Sequence, residues 1–179
     1  MPDLHSLLTS DKYDLVFVVE SWLDNTITDA MLTYCLNFTV VRRDRGSRGG
    51  GVTIFIRNNI VFYAHPLPTN VEGLCLDFGP NMLRVLLGYL PDGRDEAQIV
   101  QMCNFLSTSV CSNKPNLVLG DFNMASIDWE TFTVPDLKQN IFFTCISELG
   151  LQQLVNEPTL GTNISWICYW SIVTVLFLM

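Results

Sequence analysis

The segment Pro115 to Trp129, P-N-L-V-L-G-D-F-N-M-A-S-I-D-W, restricts the possible folds of this chain more than any other. Leu117, Val118 and Leu119 form a short apolar run suited to a buried strand, Gly120 ends it, and Asp121 and Asn123 follow on a loop. Successive strand residues face opposite sides of a sheet. Once the chain leaves the sheet, however, a carboxylate and a carboxamide two residues apart can turn into one cleft. There the first can take a proton and the second can donate hydrogen bonds to an oxyanion. The same letters also describe a Gly-Asp turn with an Asx cap and no chemistry. Both readings stand on this segment alone.

A buried strand needs a core. The 179 residues are 49% apolar and only 16% charged, which suits a single domain and excludes a disordered chain. The formal net charge of -8 argues against a protein that coats nucleic acid indiscriminately, yet it is compatible with a carboxylate cleft that binds a divalent cation. Cys35, Cys75, Cys103, Cys111, Cys145 and Cys168 include no C-x-x-C pair, and no His stands at metal-ligand spacing. Neither a zinc site nor a disulfide framework is indicated, so a reducing, intracellular compartment is expected, nucleus or cytoplasm. Asp3 and His5 come early with no long apolar run, so no secretory signal is expected.

Several other strands end in polar groups. A short helical pattern over His5–Thr9 precedes Leu15–Val19, five consecutive apolar residues that read as a buried strand. Glu20 follows directly. A carboxylate there reaches either solvent or a cation at the carboxyl edge of a sheet. Thr26–Asp29 resembles a capping box and starts a helix to about Cys35, and Phe38–Val41 is a strand. The most basic stretch comes next: Arg42, Arg43, Arg45 and Arg48 are four of the ten Lys and Arg residues. They either track phosphates or solvate a loop. Gly49, Gly50 and Gly51 match no phosphate-binding glycine motif and read as a flexible hairpin connection into Val52–Ile56.

Ile60–Ala64 continues as a strand, and Gly73–Phe78 and Met82–Tyr89 form a hairpin closed by Gly79-Pro80-Asn81. Tyr89 places a phenol at a strand terminus. Apolar spacing predicts helices over Asp95 to about Cys111 and over Asp136–Leu149, with a last short strand over Leu151–Val155. This mixture of hairpins and helix crossovers indicates an α/β sheet layered with helices.

In order and spacing, the motifs E-S-W-L at Glu20, G-Y-L-P-D at Tyr89 and G-D-F-N-x-x-x-I-D-W at Asp121 resemble the endonuclease/exonuclease/phosphatase superfamily. They are most similar to the apurinic-type endonuclease domain of LINE-type (non-LTR) retrotransposons. R-G-G-G-V-T-I-F-I at 48–56 and N-E-P-T at 156–159 fit the same resemblance, which runs from about Leu4 to Asn163. It implies an α/β (α+β) fold, an incomplete four-layer αββα sandwich of two mixed sheets flanked by helices. It also implies a metal-dependent phosphodiesterase site at one end of the packed sheets. By position, Glu20 would hold Mg²⁺ or Mn²⁺, Asp121 would orient or deprotonate the attacking water, Asn123 would donate to the phosphorane, and Tyr89 would contact the phosphate. The implied partners are DNA and, in an intact element, its reverse transcriptase region.

The sequence departs from the family pattern at both ends. Met1 falls after the point where the family's first strand would end in an Asn beside the metal. Trp166 stands where an Asp is expected, and no His follows His65. Residues 1–163 are therefore expected to be a partial domain, truncated at both ends and impaired in catalysis. The alternatives are a non-catalytic remnant or binding module, and a phosphatase or lipid phosphodiesterase of the same superfamily. The tail from Ile164 to Met179 has sixteen residues and no charge, just short of the roughly 17 to 25 that span a bilayer. It is read as sequence from outside the original frame, a membrane anchor or a substitute core strand.

Overall fold

Five apolar residues in succession at Leu15–Val19 require a strand covered on both faces, and the architecture supplies two covers. A computed structural model of the chain describes residues 4–10, 12–34, 36–79, 83–154 and 177–178. The elements in order are α1 (Leu4–Thr9), β1 (Leu15–Val19), α2 (Asp29–Leu32), β2 (Phe38–Arg43), β3 (Val52–Arg57), β4 (Phe62–Ala64), β5 (Gly73–Phe78), β6 (Leu83–Tyr89), α3 (Glu96–Ser109), β7 (Asn116–Asp121), α4 (Leu137–Glu148), β8 (Gln152–Gln153) and β9 (Phe177–Leu178). β1, β3 and β2 form one sheet in that order, antiparallel throughout. The second sheet has the order β4-β5-β6-β7-β9-β8 and is mixed, since β6 and β7 run parallel.

Period-two alternation assigns each side chain to a layer. On β1, Val16 and Val18 face outward into a cluster with Leu8 of α1, Phe38 and Phe55, while Val19 faces inward. On β3, Val52, Ile54 and Ile56 meet Leu74 and Leu76 of β5, Val85 and Leu87 of β6 and Leu119 of β7, forming the core between the sheets. The opposite face of the second sheet, with Cys75, Leu86 and Val118, packs on Ile99, Met102, Phe105 and Leu106 of α3 and Phe142, Cys145 and Ile146 of α4. The result is four layers, helix on sheet on sheet on helix. No helix among the described residues is long and apolar enough to cross a membrane.

The long helices start where their sequence indicates. Asp95 caps α3 in a full capping box with Gln98, and Asp136 caps α4 by accepting from Gln139 N–H. The cap of α2 differs from the expected Thr26. Thr28 accepts from Met31 N–H, while Thr26 is drawn back onto the Asp24 carboxylate, its amide donating at 2.8 Å. β2 also runs two residues beyond the expected Val41, which puts Arg42 and Arg43 on a strand. The N-E-P-T motif, Trp166, most of the apolar tail, and Pro80 and Asn81 of the expected hairpin closure lie outside the described residues.

At one end of the second sheet, Asp77 of β5 gathers two cations, Arg84 and Lys114, and the His65 ring. Its carboxylate accepts from Arg84 (2.7 and 2.8 Å), from Lys114 (3.0 Å), and lies 2.9 Å from the His65 ring nitrogen. Arg84, then burial in opposition, then His65 and Lys114 hold the Asp77 carboxyl well below the usual carboxylate range. A lowered folded value stabilises the native state above the unfolded carboxyl value of about 3.9, and that contribution is lost as the pH falls toward the lowered value. Asp77→Ala is expected to cost about 2 kcal/mol at pH 7, because Arg84 and Lys114 are left facing each other with little access to water. Urea unfolding of both proteins between pH 3 and 7 measures this, and the gap should narrow below about pH 4.

Candidate active site

Three strand ends converge at the other end of the sandwich. Because α3 crosses over between β6 and β7, the two strands run parallel and their carboxyl ends lie side by side. Tyr89 and Asp121 are register partners there. Glu20 follows β1 in the facing sheet, and the Tyr89 hydroxyl donates to its Oε1. The next turn is held by the backbone and by Asn123. Leu90 N–H donates to the Asp121 carbonyl at 2.9 Å, Asn123 N–H donates to Asp121 Oδ1 at 3.1 Å, and Asn123 Nδ2 donates to the Leu90 carbonyl at 3.0 Å. Glu20, Asp121 and Asn123 retain partial access to solvent, whereas Tyr89 is buried.

One detail differs from the sequence reading. Gly120 and Asp121 belong to β7, so the carboxylate projects from the last strand residue and not from a loop. Gly120 is needed there because β6 comes very close. A Cβ at that position would lie 2.0 Å from the Gly88 carbonyl oxygen. Among the described residues, four that are not glycine hold a positive φ, and three of them, Glu20 (51°), Trp22 (55°) and Asn123 (50°), lie at this site. Such conformations cost free energy and collect at functional positions.

Burial pushes the Asp121 carboxyl up, the Asn123 N–H opposes that, and the charge of Glu20 adds to the rise. The Tyr89 phenol is pushed up by burial first and by its bond to Glu20 second, so it keeps its proton as a donor. A buried carboxylate whose ionisation is opposed by the charge of a second one forms a site where a cation is favourable. All available donors are oxygens, which suits a hard divalent ion, and Mg²⁺ needs only one or two carboxylates beside water and phosphate. The residues therefore fit such an ion, although no group of three or more His, Cys, Asp or Glu residues stands ready to ligate one among the described residues.

The arginines separate into two groups. Arg42 donates to the Ile27 carbonyl at 2.6 Å and pairs with Asp29 at 2.9 Å; Arg43 donates to the carbonyls of Leu67, Pro68 and Val71. Both tie loops to the first sheet. Arg45 lies 5.5 Å over the Tyr89 ring and donates to Glu72 Oε1 at 2.6 Å, and Arg48 lies over the Trp22 ring.

Two residues at the site carry no sequence signal. Glu72 also accepts from Gly51 N–H at 2.7 Å, and its carbonyl accepts from Tyr89 N–H at 2.8 Å, so it joins the glycine loop to β6. Arg94 is buried and donates to the Asn123 and Pro91 carbonyls, fixing the Asn123 loop from behind. A single Glu before a strand and a single Arg after an Asp-Gly turn fit no pattern that would have marked them. Both histidines lie elsewhere, His65 at the Asp77 cluster and His5 on α1.

The sequence matches the model of the Endonuclease/Exonuclease/phosphatase family over residues 2–171. Comparison with curated proteins gave no match. Among solved structures, the chain is similar to a 3'-5' exonuclease from Neisseria meningitidis, with a TM-score of 0.67 and 16% identity, covering 97% of this chain and 80% of that one. It is also similar to an AP endonuclease from Archaeoglobus fulgidus (0.63, 16%, 98% and 80%). The endonuclease domain of TRAS1, a telomere-specific non-LTR retrotransposon, aligns comparably (0.62, 17%, 97% and 76%). At these identities the structures establish the shared fold.

Proposed function

Because the chain belongs to the endonuclease/exonuclease/phosphatase family, we propose that it is a divalent-metal-dependent phosphodiesterase acting on DNA, derived from the endonuclease domain of a LINE-type retrotransposon. The observation that carries this is the convergence of Glu20, Tyr89, Asp121 and Asn123 from three strands of two sheets. Glu20 and Asp121 are the residues that would hold Mg²⁺ or Mn²⁺, which when bound neutralises charge on the phosphoryl oxygens. Asp121, its carboxyl raised by burial and by the charge of Glu20, takes a proton from the attacking water. Asn123, oriented by its bond to the Leu90 carbonyl, has a second amide hydrogen to offer the phosphorane. Tyr89 stays protonated and serves as a donor, to Glu20 here and to a phosphoryl oxygen of the substrate.

Arg48 supports the backbone of the DNA strand in this reading, since Arg42, Arg43 and Arg45 are engaged in contacts within the protein. The R-G-G-G and S-I-D-W stretches support the retrotransposon branch, in which the reverse transcriptase region of the element would be the working partner. Turnover is proposed to be slow. Neither histidine of the chain is placed to protonate the leaving oxygen, and positioning at such sites cannot be supplied by distant neighbours.

The test is nicking of supercoiled plasmid by the full chain with Mg²⁺ or EDTA. Nicking is expected only with Mg²⁺, and Glu20→Ala is expected to raise the Mg²⁺ concentration needed about tenfold. Nicking that persists in EDTA, or an unchanged Mg²⁺ requirement in Glu20→Ala, would refute the metal role. Binding of DNA without cleavage would identify a binding module instead.

A further inference from the structure

Trp22 is an outlier in three respects. It is 53% exposed while its neighbours Ser21 and Leu23 are buried. Its φ of 55° is a conformation that a bulky side chain adopts only when its surroundings impose it. The imposition is visible: Trp22 N–H donates to the Gly50 carbonyl at 2.9 Å, and Ser21 N–H donates to the Gly51 carbonyl at 3.2 Å. The glycine loop thus holds the indole out of the core.

The neighbours of the ring have matching chemistry. The Arg48 guanidinium lies 5.8 Å over it, and the Gly49 backbone approaches so closely that a Cβ there would touch it at 4.0 Å. Trp22 is also two residues from Glu20, so a group stacked on the indole adjoins the carboxylate site. With a net charge of -8, the chain gains little from general attraction to phosphates, and a contact that does not depend on charge is needed to hold a strand.

We propose that Trp22, flanked by Arg48, is a stacking platform for an unpaired nucleobase next to the phosphodiester that enters the site. This deepens the nuclease reading above and rests on it. The platform selects DNA with an accessible base, as in a single strand or a frayed end, over a fully paired blunt duplex. Inside a duplex both faces of a base are covered by its neighbours, so a blunt duplex offers a face only at its two ends, whereas a single strand offers one at any base; stacking on an aromatic side chain tolerates any base. Arg48 places its charge beside the stacked base.

The experiment measures binding of the full chain, in EDTA so that no cleavage intervenes, to a fluorescein-labelled single-stranded 12-mer and to the matching blunt duplex. Anisotropy of the label reports both affinities. Wild type is expected to bind the single strand more tightly. Trp22→Ala should weaken single-strand binding about tenfold and duplex binding less than twofold, while Trp22→Phe, which keeps a ring, should retain most of the affinity. Equal single-strand affinity in wild type and Trp22→Ala would overturn the platform. If Trp22→Ala fails to fold, Trp22→Leu, which keeps apolar bulk without a ring, carries the test, and single-strand affinity equal to that of wild type overturns the platform. Plasmid nicking separates the two readings. Wild type that neither nicks nor binds DNA refutes the nuclease assignment and the platform together, whereas nicking with unaltered binding by Trp22→Ala refutes only the platform.

Discussion

Asp121→Asn is expected to reduce Mg²⁺-dependent nicking at least 100-fold and, at the same time, to raise the thermal midpoint. The loss follows from removing the base, which at a positioned site is worth roughly 10² to 10⁴ in rate. The gain follows from the electrostatics. Burial and the charge of Glu20 raise the Asp121 carboxyl, so the native state binds its proton more tightly than the unfolded chain does. Ionised Asp121 therefore destabilises the fold above its raised value, and the penalty disappears as the pH falls through it. Asparagine carries no such penalty and still offers an oxygen to the Asn123 N–H. The stabilisation should be clear at pH 8, close as the pH is lowered, and shrink on adding Mg²⁺, which relieves wild type alone. Calorimetry at several pH values checks this. Wild-type nicking, measured in Mg²⁺, should rise with pH through a titration displaced to lower pH than the Mg²⁺-free one. An Asp121→Asn protein that nicks as wild type does would remove Asp121 from the chemistry.

Gly120→Ala is expected to be the most damaging single change, costing more than about 4 kcal/mol out of a total of roughly 5 to 15. Gly88 and Gly120 are register partners in the β6–β7 pair. A methyl group on Gly120 would come within 2.0 Å of the Gly88 oxygen and 2.9 Å of its carbonyl carbon. Both atoms are backbone, so no rotamer change relieves the clash and the two strands must move apart. The next pair in register is Tyr89 and Asp121, so the displacement also separates two side chains of the proposed site. Gly93→Ala provides the contrast. That position also has positive φ but open space around it, and only the modest backbone cost of about 1 kcal/mol is expected. Urea unfolding followed by circular dichroism distinguishes the two; similar small losses would show that the β6–β7 spacing is soft.

What could be read from the residues, and what could not, follows from the range of the interactions. Leu15–Val19 declares itself as a strand because its apolar run is unbroken, and Val52–Ile56 and Gly73–Phe78 do so with one polar interruption each, Thr53 and Asp77. Asp95 and Asp136 declare helix starts because a cap acts within three residues. Glu20, Tyr89, Asp121 and Asn123 stand out only as polar groups at strand ends, and their convergence needed the sheet order. The arginines show the limit. Nothing local distinguishes Arg43, which holds carbonyls near residue 70, from Arg48, which lies over an exposed indole. Glu72 and Arg94 act through partners 21 to 30 positions away and were invisible for the same reason. Gly120 was read as a stop because the glycine signal is the same whether a strand ends or another backbone comes close.

The Tyr89–Glu20 bond joins residues 69 apart in the chain and spans the junction where one sheet lies against the other. The candidate site is thus a seam, stitched between two slabs whose shared core is apolar. Mild denaturant that lets the slabs slip should abolish the proposed nicking activity while the helices are still intact. A cation and a DNA strand gripping both sides would act as a clasp, so substrate and fold would reinforce each other.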